Sequence, residues 1–175
     1  MTTFEKAMVH LSTIIVGLSG ILYAVMKYLM TADDPYAVIN HPLQPWMLDL
    51  HVLTAPALVF AIGLIAQDHV LGQLRKGPNR PGRASGVMAL ISILPMVSTG
   101  YLIQVATEET ARGVLVGVHL VTSALYLVAY VAHWFVSRSI AARRKQAARA
   151  ATASGVWNGQ HVRTRVARQL PGGSL

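Results

Sequence analysis

The 175-residue chain contains no cysteine. Disulfides, thiolate metal ligands, iron–sulfur clusters and the C-x-x-C-H attachment of c-type haem are therefore excluded, and any cofactor is held without a covalent bond to sulfur. Charge is also scarce, at 13% of residues against 53% hydrophobic. Soluble domains carry about 25% charged residues, so this composition belongs to a membrane protein. Acids are the scarcest charges, seven against fifteen Lys and Arg, for a net charge of +8. Membrane topology accounts for that excess, and no nucleic-acid partner is expected.

What the chain has instead is long apolar runs. A spanning helix needs about 20 mostly apolar residues, and residues 8–30, 46–66, 85–105 and 113–136 meet that length. The expected fold is all-α, an integral membrane four-helix bundle at 1–138 followed by a basic tail at 139–175. The first run is too long for the apolar region of a secretory signal and lacks a small-x-small cleavage pattern, so it is expected to remain.

The uneven placement of basic residues sets the expected orientation. With the N-terminus inside, thirteen of the fifteen fall on the cytoplasmic side: Lys6, the cluster Arg75, Lys76, Arg80 and Arg83, and eight from Arg138 to Arg168. Only Lys27 and Arg112 fall outside, joined there by Asp33, Asp34, Asp49, Glu108 and Glu109. Both termini are expected in the cytoplasm of a bacterium, with the chain a multi-pass protein of the inner membrane. The outer connection at 31–45 holds Pro35, Pro42 and Pro45 and reads as a turn-rich loop; the inner connection at 75–83, with Gly77, Pro78, Pro81 and Gly82, reads as a basic loop. Residues 140–153 are rich in Ala, Arg and Lys and are expected to prolong the fourth helix, as a solvated or lipid-headgroup-contacting extension or a docking element.

Ionisable groups at membrane depth are costly and mark function. His119 and His133 lie fourteen residues apart, which on a helix is about 21 Å of rise and about 40° of rotation. They share one face at two depths. His10, near the start of the first run, lies at the depth of His133, and His51, one turn into the second, at the depth of His119. The expected pairs are His10 with His133 at the inner side and His51 with His119 at the outer side, each suited to hold a haem iron by two imidazoles. Small residues beside them, Gly17, Gly20, Ala55, Pro56, Gly117, Ala129 and Ala132, leave room for a macrocycle or for helix packing. His69 is the rival inner ligand. It follows His51 by eighteen residues, five helical turns, and so faces the same way but about 27 Å deeper, overshooting the inner pair by about 6 Å. That places it at the interface beside Asp68 as a propionate-contacting, quinone-site or snorkelling residue. His41 and His161 read as surface residues.

One histidine in the first helix, one in the second and two separated by fourteen in the fourth resemble the di-haem cytochrome b subunits of nickel–iron hydrogenases and formate dehydrogenases, and related bacterial b-type cytochromes. The third run, with Met96, Ser98, Thr99, Gly100, Tyr101 and Gln104, looks like that family's small-residue turn. The resemblance implies two non-covalent haem b groups on His10, His51, His119 and His133. It also implies electron transfer between the quinone pool and a redox partner, a partner subunit or a c-type cytochrome, within a larger membrane complex. Proton exchange with quinone would fall to Gln67, Asp68 and His69 on the inner side, or Asp49, Tyr101 and Gln104 on the outer. The alternatives are an accessory subunit of a respiratory or photosynthetic complex without its own electron transfer, and a small transporter. Four helices read without an internal repeat disfavour transport.

Overall fold

A computed structural model describes residues 1–75 and 81–169, with residues 154–169 by backbone alone. The described residues form four helices long and apolar enough to cross a membrane, and no strand is present among them. Helix α1 (Thr3–Tyr28) starts at a capping box: Thr2 Oγ1 accepts from the Glu5 amide and Glu5 accepts from the Thr2 amide, at 3.1 and 2.9 Å. These bonds satisfy amides that the first turn leaves without partners. Helix α2 (Gln44–Leu74) opens with Pro45 in its first turn, where the missing N–H costs nothing. Its hydrogen bonding widens to a π-helix over Ala66–Leu71.

Helix α3 (Arg83–Val105) begins after Gly82, whose φ of 82° lies in the left-handed region that glycine adopts at least cost. Helix α4 (Glu109–Gln169) runs on past the apolar region without a break. The division at 138 is therefore one of composition alone. Trp134 with Arg138 stacked 4.6 Å over its ring marks that change, a pairing suited to a membrane interface. The loop at 31–43 is turn-rich as expected, with Asn40 Nδ2 donating to the Lys27 carbonyl and the Asp34 carboxylate accepting from the Tyr36 amide. His41 belongs to this loop, its Nδ1 accepting from the Leu43 amide. Inner-loop residues 76–80 and the side chain of His161 lie outside the described residues.

Helices α1 and α2 pack along each other, as do α3 and α4. All four meet in a core of Val16, Leu58, Ile93, Met96 and Tyr126, with a second cluster of Val9, Ala61 and Ile65 toward the end where α1 begins. Small polar residues are buried, including Ser12, Thr13, Ser19, Ser92 and Thr99, whereas large apolar residues face outward, such as Leu94 at 73% exposure and Leu53 at 77%. In water this distribution would waste apolar surface. In hydrocarbon it is favourable, because small residues let helices approach and Leu side chains meet lipid. Most of these buried hydroxyls bond carbonyls of their own helices, as Ser12 does to Met8 at 2.7 Å and Ser92 to Met88 at 2.8 Å, whereas Thr13 meets the Tyr126 hydroxyl at 3.2 Å.

Candidate paired-histidine sites

His51 on α2 and His119 on α4 face each other, their ring centres 6.1 Å apart and ring planes at 85°. A second facing pair has the same spacing: His69 and His133, with centres 6.1 Å apart and planes at 78°. A metal–imidazole bond is about 2 Å and a ring nitrogen lies about 1 Å from its ring centre, so two imidazoles on opposite sides of one metal ion have centres about 6 Å apart. Both pairs meet that spacing.

The inner pair differs from the expected juxtaposition of His10 with His133. The Nδ1 of His10 is instead hydrogen-bonded to the Tyr130 hydroxyl, while His133 faces His69. The π segment accounts for part of this difference. Depth along α2 follows from 1.5 Å per residue only while the helix is α, and His69 lies within Ala66–Leu71, where i→i+5 bonding puts more residues into each turn. The chain advances less per residue there, which draws His69 back toward the level of His133.

Three of the four facing rings are oriented in one way. The Nδ1–H of His51 donates to the Val16 carbonyl at 2.9 Å, that of His119 to Met96 at 2.9 Å and that of His133 to Gly82 at 3.0 Å. A carbonyl only accepts, so the proton resides on Nδ1 and the Nε2 lone pair is left for a metal. Three residues beyond each carbonyl stands a hydroxyl: Ser19, Thr99 and Ser85 lie 3.5, 3.4 and 3.4 Å from the respective Nδ1. One residue further is a glycine against which the ring lies. A Cβ added at Gly20 would fall 2.8 Å from His51, at Gly100 3.1 Å from His119 and at Gly86 3.2 Å from His133. Of the other small residues, Gly17 backs Leu127 at 3.1 Å, and Gly117 meets nothing within 4 Å.

This cradle exposes an internal repeat, contrary to the expectation that there is none. Val16-x-x-Ser19-Gly20 on α1 matches Met96-x-x-Thr99-Gly100 on α3, and Leu50-His51-x-x-Thr54 on α2 matches Val118-His119-x-x-Thr122 on α4. The two threonines also behave alike, Thr54 donating to Leu50 at 2.6 Å and Thr122 to Val118 at 2.7 Å. The His51–His119 pair is thus built from two helical hairpins that carry matching motifs. Fourteen residues before Met96-x-x-Thr99-Gly100, α3 repeats the cradle as Gly82-x-x-Ser85-Gly86; fourteen before Val16, α1 has Thr2, Glu5 and Lys6 instead. The hairpins therefore diverge at the inner end, where α2 carries the π segment.

Each pair presents two nitrogen donors, and no group of three or more His, Asp or Glu able to hold a metal occurs among the described residues. Two imidazoles do not complete the four-ligand set of a structural zinc site. They do suit a metal whose other four positions are filled by a macrocycle, so the donor chemistry fits haem iron held by His51 and His119, and by His69 and His133. Among the remaining expected site residues, Gln67 and Asp68 share the π segment with His69, Asp49 and Tyr101 are exposed, and Gln104 Nε2 donates to the Gly100 carbonyl at 3.2 Å. At the N-terminal end of α4 the backbone amides of Ala111 and Thr110 hold the Glu108 carboxyl below its ordinary range. Comparisons with protein-family models, curated proteins and solved structures give no match.

Proposed function

We propose that this protein is a di-haem b-type cytochrome that carries electrons across a bacterial inner membrane between the quinone pool and a partner redox protein. The observation that carries this reading is the pair of histidine couples, each at 6.1 Å and at two levels of one bundle. When bound, haem iron held by two imidazoles would supply reversible one-electron chemistry. The chain's part is to hold and orient: Val16, Met96 and Gly82 carbonyls fix the tautomer and raise the basicity of the ligating imidazoles. The two levels are separated by about 21 Å along α4, a spacing that divides the membrane into two shorter steps. The excess of basic residues at one end supports an orientation with both termini in the cytoplasm.

A reduced-minus-oxidised optical spectrum of the purified chain, with the haem quantified per polypeptide, tests this. A b-type α band at two haems per chain is expected. A chain expressed with haem available that shows no such band sinks the proposal. His119→Ala should remove one haem and His69→Ala the other, while His10→Ala keeps both.

A further inference from the structure

His10 takes no part in either facing pair, yet it is an imidazole at membrane depth. It is the eighth residue of a 26-residue helix, so it lies about 10 Å from the helix start, in a helix about 39 Å long. Against a hydrocarbon layer about 30 Å thick, that places the ring roughly 6 Å inside the apolar region.

Its only hydrogen-bond partner among the described residues is the Tyr130 hydroxyl. A neutral imidazole and a phenol hold two polar hydrogens between them, and their mutual bond uses one. Whichever group donates inside the pair, one donor is left over: the His10 Nε2–H or the Tyr130 O–H. Both residues are half-buried, so that donor is not sealed in the core. In hydrocarbon an unpaired N–H or O–H is strongly unfavourable, which favours any bilayer-dissolved molecule that brings an acceptor. A phospholipid keeps its phosphate in the headgroup layer, above this depth. A quinone carries a ring carbonyl at hydrocarbon depth on an apolar body. The neighbourhood suits such a body, with Val9, Ala61 and Ile65 forming the wall and Met8, Val70 and Tyr130 packed on it. Tyr130 also stands one turn before His133 on α4, which puts the pair beside the His69–His133 site.

We propose that the His10–Tyr130 pair is the head-group site for a quinone, donating a hydrogen bond to one of its carbonyl oxygens. The ligand class rests on the electron-carrier reading above; the site does not, since it consists of the free donor, its depth and its apolar wall.

The test is equilibrium binding of decylubiquinone and of menadione to the detergent-solubilised full chain, with haem content read from the optical spectrum of the same samples. His10→Leu should weaken binding of the preferred quinone at least tenfold and Tyr130→Phe several-fold, with both haems retained. His10→Gln, which restores an N–H donor, should recover binding to within about threefold of the parent. Parent-like binding by His10→Leu, failure of the parent to bind either quinone, or loss of a haem from His10→Leu each overturns the site. A chain that has no haem but binds quinone through His10 keeps the site and refutes the electron-carrier reading alone.

Discussion

Replacing Gly20 with alanine adds a single methyl group, and the structure predicts where its effect falls. The new Cβ would stand 2.8 Å from Cε1 and 2.9 Å from Nδ1 of His51, whereas ordinary contact begins at 3.4 Å, so the ring must retreat by about 0.6 Å. It cannot turn aside freely, because its Nδ1 is bonded to the Val16 carbonyl one helical turn earlier on the same helix. Overpacking of this kind costs about 1–3 kcal/mol, and stretching the Nδ1 bond forfeits part of a further 0.5–1.5 kcal/mol or so. Disturbing the group that orients a metal-ligating histidine lowers metal affinity by about 10–100-fold. In full-length protein challenged with an apo-globin haem scavenger, Gly20→Ala should release the haem proposed at His51–His119 10–100 times more readily and leave the other in place. Gly100→Ala, with its contact at 3.1 Å, should act on the same haem more mildly, and Gly63→Ala, whose Cβ meets nothing within 4 Å, should match the parent. Equal retention of both haems by Gly20→Ala, or selective loss of the His69–His133 haem, would refute the cradle's assigned role.

Other consequences are as direct. Gly86→Ala should weaken the proposed haem at His69–His133 and spare that at His51–His119, the mirror of Gly20→Ala, as read by the two midpoint potentials in a redox titration. Tyr126→Phe removes the phenol 3.2 Å from Thr13 Oγ1, a hydroxyl in the core, and should destabilise the bundle by about 1–2 kcal/mol in a denaturant titration in micelles; the double change with Thr13→Val should recover part of that loss. Glu108 binds the Ala111 and Thr110 amides as a carboxylate, and its folded pKa is depressed. Its contribution to the start of α4 is therefore full at neutral pH and lost as pH falls through the folded value, below the ordinary carboxylate range. Hydrogen exchange at Thr110 and Ala111 should accelerate relative to mid-helix amides on acidification, and Glu108→Gln should abolish that pH dependence.

Much of the architecture was legible in the chain itself, because in an apolar solvent length and hydropathy dictate which segments become helices. Four apolar runs correspond to four helices, whose starts lie a few residues earlier than the runs, as where Thr2 and Glu5 cap α1, while α2 runs on to Leu74 and α4 to Gln169. The pairing of His51 with His119 was also legible, since both lie in regular α-helix and a constant rise converts sequence distance into depth. The cradle was less so. Gly20 stands out only as a small residue and Thr99-Gly100 only as a small-residue turn, and Ser85-Gly86 does not stand out until the imidazoles are seen against them, although the H-x-x-T repeat at His51 and His119 was a signal available in the sequence.

The sequence by itself determined the all-helical architecture and the absence of thiolate ligation, and it marked which residues could act as ligands, because composition, helical periodicity and donor chemistry are local properties. Only the tertiary structure decided which imidazole faces which. Within one turn of π-helix the relation between residue number and depth changes, and in the folded bundle His69 rather than His10 stands against His133, leaving His10 to Tyr130.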